Sequence, residues 1–94
     1  MIDDEFEWDD AKARQNYAKH GVTFETAREV LREPFLYDWP DERHDYDEER
    51  YAAVGMAKGR LYYVAFTVRN ERIRIISARG AEPHEQRQYH EERT

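Results

Sequence analysis

Three strand-like segments follow one another in the second half of the chain with almost no sequence between them. They cover about residues 50–56, 60–69 and 72–79, and the turns between them hold Lys-Gly at 58–59 and Asn-Glu at 70–71. Turns this short join antiparallel strands, whereas parallel neighbours need a crossover of roughly a dozen residues. The spacing therefore predicts an antiparallel β-meander, and it limits the possible folds more than any other feature.

Two short helices are predicted before the meander. Asp9 or Asp10 is a suitable N-cap for a first helix, which should end before Gly21, a residue that tolerates the left-handed conformation of a helix end. Thr23 can cap a second helix, and Pro34 should end it. The apolar face of this second helix is formed, at helical spacing, by Phe24, Ala27, Val30 and Leu31.

The remaining segments complete the expected fold. Residues 6–8 are predicted to form a short first strand or an extended arm, residues 35–37 a short edge strand, and residues 39–49 a long loop that is acidic from Asp41 onward. Pro83 could open a last helix around Tyr89, which has almost no apolar face and is expected to fray or to dock on a partner. We therefore predict a two-layer α+β fold, with the helical hairpin packed on one face of an antiparallel meander, an open second face and a short C-terminal helix.

Composition excludes several classes of protein. Hydrophobic residues make up 39% of the 94 positions and charged residues 38%, which suits a single small domain, residues 1–94, with a modest core. There is no cysteine, so neither disulfides nor thiolate metal sites are expected. The four histidines lack the spacing of paired metal ligands, and an EF-hand loop starting at Asp45 would need glycine where Arg50 stands. We expect neither a metal nor a cofactor.

The sequence also predicts a cytoplasmic protein. The longest apolar runs, such as residues 64–66, are too short to cross a bilayer, and the acidic start of the chain is unlike a secretory signal. We therefore expect no membrane partner.

Charge is distributed unevenly along the chain. The formal net charge is −6, and residues 1–10 carry six carboxylates and no basic side chain. Residues 58–79 instead carry six lysines and arginines, with Glu71 as their one acid. A basic hairpin inside an acidic chain is compatible with a nucleic-acid partner, and equally with an acidic protein partner.

The last strand of the meander carries three arginines and a serine hydroxyl. Guanidinium groups suit phosphate recognition because they offer planar forks of donors, although a basic surface strand paired with acids elsewhere explains the segment as well. Strict alternation divides the strand into two faces, one with Arg72, Arg74 and Ile76 and the other with Ile73, Ile75, Ser77 and Arg79. The first two isoleucines should face the helices, so the first two arginines should face an open groove. The third arginine reaches that groove only beyond the strand end or past a β-bulge.

Two sets of residues together resemble the signature of BrnT-type toxins. The first set is Phe6-Glu7-Trp8-Asp9, Lys12, Asn16, Lys19-His20-Gly21-Val22, Phe24-Glu25 and Ala27. The second set is Arg50, Gly55, residues 73–79, Ala81, Glu85 and Tyr89. The two sets occur in order at the right spacing, and Gly80 departs from the pattern because such chains often carry a further basic residue there.

The resemblance implies a RelE-like ribonuclease fold and the activity of a toxin from a type II toxin–antitoxin module. It also implies RNA as the substrate and a BrnA-like ribbon-helix-helix antitoxin as the partner, whose dimer would carry two toxins in a heterotetramer. We therefore expect a metal-independent endoribonuclease that blocks translation.

Metal-free cleavage of RNA requires groups that transfer two protons and groups that stabilise a dianionic phosphorane. Arg74 and Arg72 are the candidates for holding the scissile phosphate, and Arg79 and Arg50 are expected to assist.

A second hypothesis assigns the same basic strand to a binding module without catalysis, which docks an antitoxin-like partner.

The proton-transfer groups are less well defined by the sequence. His20 and Lys19 are candidates for proton transfer or RNA contact, yet both could simply cap the first helix. Glu49 is a conceivable base in a charged, solvated loop. The candidate substrate-binding residues are Ser77, Lys58 and Arg60, and the Ser77 hydroxyl could instead be satisfied within the sheet.

Overall fold

The computed structural model describes residues 1–42 and 48–93. Its helices and strands, in chain order, are β1 (Phe6–Glu7), α1 (Asp10–His20), α2 (Phe24–Leu31), β2 (Tyr37–Pro40), β3 (Tyr51–Ala57), β4 (Arg60–Arg69), β5 (Arg72–Gly80) and α3 (Pro83–Arg93). The predicted α+β fold is therefore confirmed. Strand β2 covers Tyr37–Pro40 instead of the predicted 35–37, so it includes Trp39 and Pro40, which were expected in the long loop. Residues 43–47 of that loop, with the EF-hand position considered at Asp45, lie outside the described residues.

The two helix starts form as their sequences predict. The Asp9 side chain accepts a hydrogen bond from the backbone N–H of Lys12 at 3.0 Å and so caps α1, which ends at Gly21 with a left-handed φ of 70°. The Thr23 side chain accepts from the backbone N–H of Thr26 at 3.1 Å and caps α2. Each cap satisfies an N–H group that a helix start leaves without an internal partner.

A five-stranded sheet forms the centre of the molecule, in the order β1-β5-β4-β3-β2. Strands β2 to β5 are antiparallel, as predicted. The tight turns at 58–59 and 70–71 place all four of their residues at positive φ, between 52° and 74°. Strand β1 runs parallel to β5 and makes the sheet mixed. Nothing in the sequence near β1 predicts this pairing, because its partner lies more than 60 residues away.

One face of the sheet packs against α1 and α2. Its main core contains, among other buried side chains, Phe6, Phe24, Val30, Val64, Ile75 and Ala78. The close fit is clearest at Gly55 of β3, where an added Cβ would lie 3.0 Å from Val30 Cγ1 and 2.9 Å from Leu36 Cδ1. The helical hairpin therefore packs on this face of the sheet, as the apolar face of α2 predicts.

Helix α3 packs on the second face of the sheet, which was expected to be open. Tyr89 is 1% exposed and forms a second core with Ala52, Val54 and Tyr63. Its hydroxyl donates to Glu33 Oε1 at 3.0 Å. The expectation that this helix would fray or need a partner is therefore wrong. One large aromatic side chain buries enough area to anchor it, even without an apolar stripe.

A β-bulge in β5 changes which side chains share a face. Ser77 is aligned with Ala65 and Ile75 with Phe66, so Ile76 is an extra residue between two aligned pairs. The expectation from strict alternation, that Ser77 and Arg79 share a face with Ile75, is therefore wrong. Beyond the bulge, Ala78 joins Ile75 in the main core, and Ser77 and Arg79 point to the second face with the first two arginines of the strand.

Candidate functional site

A cavity of about 300 Å³ lies between α1 and the edge of β5. It exists because β1 is aligned with Ile73 and Arg74, and the described chain places no further strand beside the rest of β5. The lining residues are Lys12, Gln15, Asn16, Lys19, His20, Ile76 and Ser77. The structure thus brings together three of the predicted site residues, Lys19, His20 and Ser77, although they come from opposite ends of the sequence.

Asn16 fixes the wall of this cavity. Its side chain is buried, and its Nδ2 donates to the backbone oxygens of Val22 at 3.0 Å and of Ala78 at 2.8 Å. Its Oδ1 accepts from the backbone N–H of Ala78 at 3.1 Å. A single amide therefore replaces a neighbouring strand at this edge, and it holds the basic end of α1 beside Ser77.

Arg74 and Arg72 lie on the second face of the sheet, as predicted, but each contacts the acidic start of the chain. Arg74 Nη1 donates to Glu7 Oε2 at 3.0 Å, and both side chains are mostly withdrawn from solvent. Arg72 Nε donates to the backbone oxygen of Asp3 at 2.7 Å. Residues 1–9, which we call the acidic arm, thus supply anionic and carbonyl partners to the two arginines that were predicted to hold a phosphate.

The acidic arm is itself held in a defined shape. The backbone N–H groups of Phe6 and Glu5 donate to Asp3 Oδ1 at 2.7 and 2.8 Å, and these bonds lower the pKa of Asp3 below its usual value. At the other end of the arm, the backbone N–H of Lys12 likewise lowers the pKa of Asp9. Both carboxylates therefore stay charged well below neutral pH.

Arg79 has a different environment from the other two arginines. It forms a two-pronged ion pair with Glu85 of α3, with both N–O distances at 2.9 Å, and its guanidinium lies 4.1 Å from the ring centroid of Tyr63. The Glu85 hydrogen bonds raise the pKa of Arg79. Burial acts to raise the pKa of Glu85, but the hydrogen bonds from Arg79 and from the Glu82 N–H outweigh it and lower that pKa. This pair fastens α3 to β5.

Two further predicted cations, Lys58 and Arg60, lie apart from the α1–β5 cavity. Lys58 is in the turn between β3 and β4, and the Arg60 guanidinium lies 5.6 Å from the ring centroid of Tyr62. Arg60 also lines a second, polar cavity of about 380 Å³ with Gly80 and His90 of α3, among others. Because β4 and β5 are antiparallel, this end of the sheet is opposite the end that carries Arg72.

The remaining two candidates, Glu49 and Arg50, lie directly before β3. Arg50 is half-buried directly before β3. Glu49 accepts a hydrogen bond from the Tyr51 hydroxyl at 2.8 Å, which raises the pKa of Tyr51, and its backbone oxygen accepts from the Thr67 hydroxyl. The predicted site residues therefore fall into separate groups, of which the α1–β5 cavity and the neighbouring Arg74 form the group with the most varied chemistry.

Two charged residues at this site, Lys12 and Glu7, were not singled out from the sequence as site residues. Lys12 lines the cavity, and Glu7 contacts Arg74. The signal for Lys12 was its spacing of seven residues from Lys19, two turns of the same helix face. The contact between Glu7 and Arg74 depends on the parallel pairing of β1 with β5, and local sequence carries no signal for it.

None of the helices in residues 1–42 and 48–93 is long and apolar enough to span a membrane. In the same ranges, no group of three or more histidine, aspartate or glutamate side chains is arranged to hold a metal ion.

The fold and the site define a small α+β domain with a cavity at one edge of its sheet, lined by two lysines, a histidine and a serine among other residues. The family model described as "Ribonuclease toxin, BrnT, of type II toxin-antitoxin system" matches residues 8–85, and the chain belongs to this family. None of the curated proteins matches the chain significantly. Family membership confirms the resemblance seen in the sequence: this is a ribonuclease toxin of a type II toxin–antitoxin system, a class that implies an RNA substrate and an antitoxin partner.

Proposed function

We propose that the chain is an endoribonuclease that cuts RNA without a metal ion and thereby stops translation. The observation that carries the proposal is the α1–β5 cavity, in which Lys19 and His20 lie beside Ser77 in a chain of a ribonuclease family. These groups can bind a phosphodiester and can transfer protons near neutral pH.

The reaction is an internal transesterification. The ribose 2′-oxygen attacks the adjacent phosphorus and loses its proton to a base, and the bond from phosphorus to the 5′-oxygen of the next nucleotide breaks. The leaving oxygen takes a proton from an acid, so that the products are a 2′,3′-cyclic phosphate and a 5′-hydroxyl. Between these states the phosphorane carries two negative charges, which nearby cations stabilise.

The side chains around the cavity have separate roles in this proposal. Arg74, with Arg72 behind it, holds the scissile phosphate, and Ser77 donates a hydrogen bond to one of its oxygens. His20 or Lys19 protonates the leaving oxygen. Additional contacts, at a greater distance from the scissile phosphate, are assigned to Arg79, Arg50, Lys58 and Arg60.

An RNA cleavage assay in excess EDTA tests the proposal. We expect products that end in 2′,3′-cyclic phosphate, and we expect growth arrest when the chain is induced in a bacterial host. A well-expressed chain that is harmless and leaves RNA intact would contradict it. Persistent cleavage after replacement of Arg72, Arg74 and Arg79 together would show instead that the site lies elsewhere.

One observation favours a second candidate function, a binding module without catalysis. Arg72, Arg74 and Arg79 all contact carboxylates or backbone oxygens of their own chain, which is the arrangement of a basic strand stabilised by internal ion pairs. The same EDTA assay separates the two candidates, because a binding module would retain RNA without forming a cyclic phosphate.

We also propose a cytoplasmic location and, as partner, a BrnA-like ribbon-helix-helix antitoxin that binds as a dimer and carries two toxins. A cytoplasmic ribonuclease has to be covered until it is needed, and an acidic segment of the partner would complement the second face of the sheet. Native mass spectrometry of the co-purified complex should give a heterotetramer. Hydrogen exchange should be slowed over residues 72–80, and protection confined to α1 and α2 would contradict this mode of inhibition.

A further inference from the structure

We propose that Glu7 is the general base of the cleavage reaction, the group that removes the proton from the attacking 2′-hydroxyl. This inference rests on the proposed ribonuclease function and deepens it, because it assigns the base that the cavity itself does not contain. Glu7 lies before the first residue of the family match.

The position of Glu7 follows from the sheet. Strand β1 aligns Phe6 with Ile73 and Glu7 with Arg74, in parallel. The Phe6 side chain is buried in the main core, so the Glu7 side chain points to the second face, beside Arg74. On that face helix α3 packs over β2 and β3 and pairs with Arg79 towards the other end of β5 from Arg74.

Glu7 has more remaining capacity to accept a proton than Glu85, the partner of Arg79. Its Oε2 accepts from Arg74, and the described contacts give its Oε1 no donor. Glu85, by contrast, already accepts three N–H hydrogen bonds, two from Arg79 and one from the Glu82 backbone. A base needs a lone pair directed at the substrate, and Oε1 of Glu7 has both of its lone pairs available for this.

The partial burial of Glu7 also suits the role. The side chain is 14% exposed, against 24% for Arg74, so both groups are largely removed from bulk water but reachable from one side. Electrostatic interactions are stronger in such a place than on an open surface. Arg74 can hold the carboxylate in position with one nitrogen while another nitrogen binds a phosphate oxygen.

The spacing along β5 places base and acid on opposite sides of the substrate. Arg74 is aligned with Thr67 and Ser77 with Ala65, so the bulge places both on the same face with a span of about 7 Å along the strand. We infer that a phosphodiester bound between them has Glu7 near its Arg74 side and the end of α1, with His20 and Lys19, near its Ser77 side. Attack and departure in line across phosphorus require this opposed arrangement.

The proton balance of the step is complete. Glu7 Oε1 takes the 2′-hydroxyl proton as the 2′-oxygen forms its bond to phosphorus, and the leaving 5′-oxygen takes a proton from His20 or Lys19. Glu7 returns its proton to solvent after product release. The charged groups on the elements that meet at Glu7 are Arg74 and Arg72 of β5, Asp9 before α1 and Lys12 of α1.

The first test compares Glu7→Gln with Glu5→Gln. Both changes remove a carboxylate of the acidic arm that pairs with an arginine, but Glu5 pairs with exposed Arg32 away from the cavity. We expect Glu7→Gln to lower kcat by roughly 10²- to 10⁴-fold, the usual contribution of general base catalysis. It should bind an uncleavable 2′-O-methyl RNA at least as tightly as the wild type, and the acidic limb of the pH–rate profile should disappear. Glu5→Gln should resemble the wild type.

The second test separates base from acid with an activated substrate, a uridine 3′-phosphate p-nitrophenyl ester. Its leaving group needs no proton, so loss of the acid in His20→Ala or Lys19→Ala should be largely rescued, whereas Glu7→Gln should remain slow. Wild-type-like cleavage by Glu7→Gln, or its rescue by the activated ester, would overturn the assignment while the ribonuclease function stands. Failure of the wild type to cleave either substrate would instead reject the proposed function.

A third variant tests whether the loss of activity in Glu7→Gln has a structural cause. Glu7→Asp keeps the charge and the ion pair but shortens the side chain by one methylene group. We expect it to unfold at the same urea concentration as the wild type and to recover part of the activity that Glu7→Gln loses, with the acidic limb of the pH profile restored. If Glu7→Asp and Glu7→Gln are equally inactive and equally destabilised, Glu7 has a structural role and the proposal is wrong.

Discussion

Asn16 and Ala78 exchange two hydrogen bonds, from the Asn16 amide nitrogen to the Ala78 oxygen at 2.8 Å and from the Ala78 N–H to the Asn16 amide oxygen at 3.1 Å. A side chain of α1 here completes the edge of β5 as a backbone strand would. The contact joins positions 62 residues apart and forms the base of the proposed site. Its loss should therefore affect stability and activity together.

We expect Asn16→Ala to lower the free energy of unfolding by about 1–3 kcal/mol, because it leaves buried backbone groups of Val22 and Ala78 without partners. Urea denaturation measures the change. Gln15→Ala is the matched control, since Gln15 is the exposed neighbour on the same helix and its replacement should alter stability by less than about 0.5 kcal/mol. Equal stability of the two variants would contradict the role given to Asn16.

Gly55 should not tolerate even a methyl group. An added Cβ would lie 2.9 Å from Leu36 Cδ1 and 3.1 Å from the backbone oxygen of Val30, so α2 would have to move away from the sheet. We expect Gly55→Ala to destabilise the fold by about 1–3 kcal/mol, the usual cost of overpacking. Gly80→Ala is the control, because its nearest atom would be the flexible end of Arg60 at 3.9 Å. Thermal unfolding of both variants gives the comparison.

The Arg79–Glu85 pair should make stability depend on pH in the acidic range. The pKa of Glu85 is lowered in the folded state, so its contribution to stability is fully present above the unfolded value, near 4.5, and is lost as pH falls through the folded pKa. We expect Glu85→Gln to be less stable than the wild type at pH 7, and the difference to shrink below about pH 4.5. Urea titrations at several pH values measure it, with exposed Glu82→Gln as the control. A difference that grows on acidification would contradict the sign.

Arg74→Ala should abolish toxicity. If Arg74 holds the scissile phosphate, its loss should reduce cleavage by roughly 10²- to 10³-fold, as for other groups that stabilise developing negative charge. Cells that express the variant should then grow normally. Arg32→Ala removes an arginine paired with the same arm, through Glu5 at 2.7 Å, and should remain toxic. Arrest by both variants at equal expression would exclude Arg74 from the site.

The helices, their caps and the antiparallel hairpins could be predicted because each is encoded locally. The helix ends are set by residues that bond to backbone groups within one helical turn, namely Asp9, Gly21 and Thr23. The two tight turns allow their strands to pair in only one way, as antiparallel neighbours. The outward face of Arg74 was also predictable, since the alternation holds up to Ile75.

The features that were missed depend on distant parts of the chain or on a local break in the pattern. Two consecutive isoleucines at 75 and 76 interrupt the alternation, and this signal could have indicated the bulge that turns Ser77 and Arg79 to the other face. The docking of α3 rests on one aromatic residue, Tyr89, and on an ion pair, neither of which gives a periodic pattern. The position of Glu7 required the fold itself.

The acidic arm has a consequence for how this protein should respond to ionic strength. An arginine that keeps its carboxylate partner adds little net positive charge to an encounter with RNA, because Glu7 stays beside Arg74 while a phosphate binds another nitrogen of the same guanidinium. Fewer counterions are then released from the RNA when it binds. The affinity for single-stranded RNA should therefore fall with salt less steeply than the slope of about 0.7 per phosphate contact that free cations give. Titrations at several salt concentrations measure this slope, and Glu7→Gln should steepen it.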